Sequence, residues 1–158
     1  MKVSHGDSAD ALIKQLELQS HPEGGWYRET YRGSENAAGR AQATAILFLL
    51  KADERSHWHR VDADEMWIWQ AGDPLELAIA NRSESQPDTL CLGPNVAKGE
   101  HLQGLVPAHA WQAARPVGKA HRSAGYTLVS CMVVPGFEFE GFELAPVDWE
   151  PGTGEPTW

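Results

Sequence analysis

The sequence has little of what marks several large classes of protein. It holds two cysteines, Cys91 and Cys131, and no CxxC pair. A disulfide framework is therefore not expected, and both thiols are read as reduced, with Cys131 inside an apolar strand pattern. No apolar run approaches the roughly 20 residues of a membrane-spanning helix. The opening MKVSHGDSAD lacks the apolar segment of a secretory signal, so the cytosol is the expected compartment. Basic residues are scarce: 13 Lys and Arg stand against 22 Asp and Glu, for a net charge of −9. That balance argues against nucleic acid or an anionic membrane as partner, since both are bound through basic surface. The sequence also has no GxSxG elbow, no GxGxxG and no GK[ST] phosphate loop. Covalent hydrolase chemistry and the common nucleotide-loop folds lose their usual signatures.

What is present fits one globular domain. A chain of 158 residues with 42% hydrophobic residues can enclose a core without disulfide staples. Ser8 is a suitable cap for a helix over residues 9–18, with Leu12, Ile13 and Leu16 on one side. The helix must end before His21-Pro22, because proline disfavours helix in the residue before it. Beyond that point short strand patterns alternate with glycine, proline and polar breaks. Strands are expected at Trp26–Tyr31, Ala43–Leu50, Arg55–His59, Glu65–Gln70, Leu75–Ala80, Thr89–Leu92, Gln103–Val106, Trp111–Ala114 and Tyr126–Val134. About nine strands with no crossover helices point to an all-β antiparallel sandwich or barrel. Flexible segments are expected at Gly33–Gly39, Asn81–Asp88, Pro116–Gly125 and in a loose tail over residues 148–158.

The chemistry-bearing stretch is HWHRVDADEMWIWQAG, His57 to Gly72. Strand alternation puts His57 and His59 on one face and Trp58 on the other. Imidazole nitrogen and carboxylate oxygen suit a transition metal, so His57, His59 and Glu65 are candidate ligands. They are equally suited to moving a proton, and the plainest alternative is that they fill a core. Glu65, Trp67 and Trp69 alternate in phase, so a barrel interior that receives Glu65 also receives both tryptophans as aromatic walls. Met66 and Ile68 then face outward. Arg28, Arg32 and Arg115 are candidate phosphate holders. Glu23-Gly24-Gly25 reads as a turn that brings a strand close to something.

The spacing HxH, five residues, Glu, six residues, Gly resembles the first motif of the cupin superfamily. The second motif, PxGxxH, has its counterpart at Pro107-Ala108-His109-Ala110-Trp111-Gln112, where His109 stands at the glycine position and Gln112 where histidine is expected. HPEGGWYRETYR, ATAILFLL, DEMW, GDPLEL, LVPAHAWQAARP and VVPGFEFEGFEL look like one cupin subfamily catalogued as a domain of unknown function. The resemblance covers about residues 21–144. It implies one cupin-type jelly-roll β-barrel over residues 22–145, with a short N-terminal helix, in a homodimer. It also implies a divalent transition metal on His57, His59, Glu65 and Gln112. GGWYRETYR is similar, more weakly, to a pattern near the start of dTDP-sugar epimerases. That likeness implies Tyr27 and Glu29 as ligand-binding residues and His59 as general base, with Glu65 orienting it. Arg28, Trp67, Trp69, Gln112 and Arg115 complete the candidate ligand-binding set. Asp62, Asp64 and Tyr126 are candidates, by residue type, for a supporting acid and a proton donor. Three functions remain open at this point: acid–base chemistry on a nucleotide, nucleotide-sugar or similar small polar ligand, a metal-dependent oxygenase or isomerase, and a non-catalytic small-molecule binding module.

Overall fold

In the computed structural model, residues 8–118 and 123–158 are described. The described residues open with one short α-helix, α1 (Ala9–Gln15), whose N-terminus is capped by Ser8 Oγ accepting from Ala11 N at 3.2 Å. The helix is shorter than its apolar spacing suggests. Leu16 caps it and Glu17 takes a left-handed φ of 55°, which turns the chain toward its first strand.

Eleven strands follow among the described residues: β1 (Gln19–Ser20), β2 (Trp26–Arg32), β3 (Thr44–Lys51), β4 (Ser56–Val61), β5 (Asp64–Gly72), β6 (Leu75–Ala80), β7 (Asp88–Leu92), β8 (Gln103–Val106), β9 (Trp111–Pro116), β10 (Tyr126–Val134) and β11 (Phe142–Leu144). They form a six-stranded sheet in the order β1-β2-β3-β10-β5-β8 and a five-stranded sheet in the order β11-β4-β9-β6-β7. Among the described residues these strands pair antiparallel throughout, with one isolated parallel bridge, Leu92 to His101. This is a mostly β, cupin-type jelly-roll sandwich. No helix of the described residues is long and apolar enough to cross a membrane.

Two apolar clusters hold the layers. Phe48, Leu50, Trp67, Leu75, Leu77, Leu92, Val106 and Val129 fill the space between the sheets. Each belongs to a strand whose alternate residues face inward, the period-2 signal of a half-buried strand. Leu12 of α1 and its cap Leu16 pack on Leu49, Tyr126 and Leu128 of the six-stranded sheet's other face. Burying each such leucine contributes about 1.5–3 kcal/mol.

The C-terminal stretch, expected to be loose, is pinned instead. Trp149 is buried against Trp111, with ring centroids 4.5 Å apart, and its Nε1 donates to Gly154 O at 2.9 Å. Ser83 Oγ donates to Glu155 at 2.6 Å, and Ala145 N bonds Trp58 O at 2.9 Å. Tryptophan buries more apolar area than any other side chain can offer, which outweighs the Pro and Gly content of this segment. Of the expected loop Pro116–Gly125, residues 119–122 lie outside the described part of the chain. Both cysteines are free, Cys131 buried and Cys91 half-buried.

Candidate functional site

A cavity of about 600 Å³ opens between the two sheets, bounded by β2, β3, β10, β5, β4 and β11. Its lining includes His21, Glu23, Tyr27, His59, Glu65 and Phe142. The size lies within the roughly 300–1,000 Å³ of small-molecule pockets.

The position of His59 depends on an irregularity in β4. Ser56 pairs with Ala114 and His59 with Gln112, so three steps along β4 match two along β9. The extra residue is a β-bulge, and it shifts the face on which later side chains emerge. Ser56, His59 and Val61 point inward and are buried. His57 does not share their face: its Nε2 bonds the carbonyl oxygen of Pro146 at 2.9 Å and it does not line the cavity. The expectation from strict alternation therefore fails at the bulge. His57 acts through its backbone: its N–H donates to Glu23 O at 2.8 Å and its carbonyl accepts from His59 Nδ1 at 2.7 Å.

That last bond determines the tautomer of His59. A carbonyl only accepts, so Nδ1 carries a hydrogen. The other ring nitrogen, Nε2, lies 3.0 Å from Glu23 Oε2. A lone pair on nitrogen facing a carboxylate oxygen would repel, so a proton lies between them. Ser56 Oγ also donates to that oxygen in a very short contact. Burial lowers the pKa of His59 and raises that of Glu23. Both shifts favour a neutral imidazole accepting from a protonated carboxyl over a buried ion pair. His59 and Glu23 are 2% and 8% exposed.

Glu23 reaches this position because of the two glycines after it. Gly24, at φ 106°, has the oxygen of Arg55 2.2 Å from where a Cβ would stand, and Gly25, at φ 76°, meets Leu50 at 2.7 Å. Only glycine allows this left-handed, close approach to β4. The turn read from the sequence is real, and what it approaches is β4 itself. The sequence signal for Glu23 was this Glu-Gly-Gly stretch; its carboxylate was missed because its partners are 33 and 36 positions away. His21, also missed, places Nδ1 as acceptor for Glu23 N at 3.1 Å and stacks edge-on to Tyr27 at 4.6 Å.

Glu65 enters from β5 and is 7% exposed. Gln112 Nε2 donates to its Oε1 at 2.8 Å, while Gln112 Oε1 accepts from Trp67 Nε1 at 2.8 Å. Burial pushes the Glu65 pKa up to about 7, His59 pulls it down and Glu23 pushes it further up. Charge couples Glu65 to His59, but the side-chain partner of the imidazole is Glu23.

The other sequence candidates divide. Tyr27, Glu29 and Arg32 line the cavity, with Arg32 held by Glu29 through two bonds of 2.8 and 2.9 Å. Trp67 and Trp69 share the inner face with Glu65 but do not line the cavity. Trp67 is core, and Trp69 Nε1 donates to Asp73 O at 3.1 Å. The aromatic wall is made instead by Tyr27, Phe137, Phe139 and Phe142. Arg28 lies outside, 3.3 Å from Glu17, and Arg115 pairs with Glu76 at 3.0 Å on the five-stranded sheet. Asp62 binds Arg40, Asp64 accepts from Ala108 N, and Tyr126 is buried beneath α1. His109 stands in an exposed turn with φ 69°.

With this geometry in place, the comparisons with known proteins assign the family. The family model described as "Cupin superfamily (DUF985)" matches residues 10–145. The chain belongs to that family. This cupin is 41% identical to a solved protein from Shewanella oneidensis, with a TM-score of 0.79 over 87% of this chain and 84% of that one. It is 37% identical to a hypothetical protein from Leishmania major, with a TM-score of 0.77 over 87% and 86% of the two chains. The uncharacterized protein YML079W of Saccharomyces cerevisiae is 28% identical over 149 residues, covering 84% of this chain and 73% of that protein.

The metal set that the superfamily's motifs imply does not fit these residues. The His57 ring is engaged by Pro146 and faces away from the cavity. Gln112 spends both ends of its amide on Trp67 and Glu65. Only His59 and Glu65 of the four reach the cavity, and no group of three or more His, Cys, Asp or Glu among the described residues is arranged to hold a metal ion.

Proposed function

We propose that this cupin is a proton-transfer enzyme of the epimerase or isomerase type, acting on a small polar ligand inside the barrel. The observation that carries the reading is the pairing of two protonation sites around one cavity: a buried carboxyl with a pKa of about 7 at Glu65, and the proton shared by His59 and Glu23. A general acid or base works best with a pKa near the operating pH, and neighbouring carboxyls with different environments divide the acid and base roles. In this reading Glu65 as carboxylate takes a proton from carbon beside a carbonyl. The electron pair moves onto the carbonyl oxygen, which receives the proton held between His59 and Glu23. Glu65 then returns its proton to the former carbonyl carbon, the neighbouring hydroxyl gives its proton back to the His59–Glu23 pair, and the carbonyl has moved one position. Phe142, tilted over His59 at 5.5 Å, and the buried apolar surround keep bulk water from the pair.

The nucleotide-sugar form of this proposal has narrower support, since Arg28 and Arg115 lie outside the cavity. The test is solvent exchange: keto sugars and keto-sugar nucleotides are incubated with the protein in D2O and followed by NMR. Deuterium entry beside the carbonyl with native protein, lost in Glu65→Gln and His59→Asn, is expected. Binding without exchange makes the barrel a binding module and overturns the enzymatic reading.

A further inference from the structure

The cavity has an uneven distribution of charge. Its deep polar groups, Glu23, His21, His59 and Glu65, lie beneath a mouth lined by Glu29, Arg32, Glu138 and Glu140. Among the described residues, Arg32 is the one arginine or lysine in the lining, and it is already occupied. It donates to both oxygens of Glu29, at 2.8 and 2.9 Å, and to Phe137 O at 3.0 Å. Glu138 lies close enough to reinforce the charges of Arg32 and Arg40 without hydrogen-bonding either. Arg40 is itself tied to Asp62 at 2.7 and 3.0 Å. Among the described residues the mouth therefore carries three carboxylates against one arginine, on a protein whose net charge is −9.

Ionised carboxylates only accept hydrogen bonds. A ligand meeting this rim must bring donors, either hydroxyl or ammonium groups. A phosphate brings acceptors and negative charge, and like charges brought together across an interface weaken binding. The segment that carries Glu138 and Glu140 also supplies an aromatic wall. Phe137, Phe139 and Phe142 have ring centroids 5.0 to 6.0 Å apart, and Phe139 remains 54% exposed at the opening. Such a wall suits the C–H face of a saturated ring. The cavity and this wall make the site; the acidic rim decides which ligand enters it.

We infer that the ligand is an unphosphorylated ring bearing hydroxyl or amino donors, a free sugar or amino sugar, and that phosphorylated sugars and nucleotide sugars are turned away at the acidic mouth. This rests on the proposed function for the location of the site, and it narrows the substrate class.

The test compares glucosamine, glucose, glucose 6-phosphate and UDP-glucose at millimolar concentrations. Binding is read from the ring NMR signals of His21 and His59 and from calorimetry. Glucosamine and glucose are expected to shift both rings, with the phosphorylated pair roughly tenfold or more weaker. In Glu138→Gln/Glu140→Gln, two positions outside the proton-transfer groups, that gap is expected to shrink severalfold. Equal or tighter binding of either phosphorylated probe to the native protein overturns the inference. So does a lack of response to both unphosphorylated probes. Calorimetry on His59→Asn separates the two proposals. The same ranking there, with no deuterium exchange by native protein, sinks the enzymatic reading and leaves the ligand class standing.

Discussion

His59 Nε2 lies 3.0 Å from Glu23 Oε2, and the two residues come from parts of the chain 36 positions apart. The contact is made by a glycine pair that lets the chain press on β4 and by a bulge that turns His59 inward. Each device is local; the buried proton they enclose belongs to the tertiary fold.

Glu65 makes stability fall as pH rises. Its folded pKa of about 7 lies above its ordinary 4.5, so the folded state holds a proton that the unfolded state releases. The corresponding stability is full below about 4.5 and is lost as pH rises through about 7, to the extent of about 3 kcal/mol. His21 and His59 act oppositely. Their pKa values are lowered from 6.5, so stability drops as pH falls below about 6.5, where the unfolded histidines gain protons. Glu65→Gln keeps the acceptor for Gln112 and removes the ionisation. Urea unfolding at about pH 5 and about pH 8 is expected to show the variant losing less stability than the native protein at the higher pH, by up to about 3 kcal/mol. An unchanged pH dependence contradicts the burial of Glu65.

Gln112 holds two buried groups at once, Trp67 Nε1 and Glu65 Oε1. Gln112→Ala strands both, and each orphaned buried partner costs about 1–3 kcal/mol. A loss of about 2–5 kcal/mol in chemical denaturation is expected, together with a further rise in the Glu65 pKa, because the lost bond favours the carboxylate. A loss below about 1 kcal/mol would mean that the amide network is not maintained in solution.

The donor geometry predicts no stoichiometric transition metal. Protein made without a histidine tag and never exposed to chelator is expected to carry only background metal by elemental analysis. Added Zn²⁺ or Mn²⁺ is expected to leave its melting temperature unchanged. Near one equivalent of metal, lost in His59→Ala, would show that the cavity binds metal through His59 and would contradict this account.

The C-terminal segment braces the sheet that carries His59. Trp149 packs on Trp111 at 4.5 Å and lies edge-on to Trp58 at 6.5 Å. Trp149→Ala is expected to cost about 3–5 kcal/mol, as large aromatic truncations in cores do. Calorimetric melting checks this, and a change of less than about 1 kcal/mol would mark the segment as loose.

Much of the architecture is legible in the sequence because it rests on period-2 burial. β5 is the clearest example: Glu65 and Trp67 face inward and Met66 outward, as alternation requires. Periodicity fails where the backbone departs from regular strand. The bulge between Ser56 and His59 leaves no local mark in SHWH, so His57 was paired with His59 on the wrong face. The spacing of the first cupin motif located His59 and Glu65 beside one cavity. Glu23 required knowledge of which strand the Glu-Gly-Gly turn would meet. Arg28 and Arg115 illustrate the opposite limit: residue type suggested anion binding, and strand position sent both side chains to the outside.

The most direct test of the proton-holding site is ¹³C NMR of the carboxyl carbons in glutamate-labelled protein, titrated from acid to alkaline pH. Two carboxyls are expected to titrate above the ordinary range, one of them near 7 and absent from Glu65→Gln, the other absent from Glu23→Gln. If every glutamate instead titrates near the ordinary 4.5, neither carboxyl is held protonated in the barrel, and the proton-transfer account is wrong.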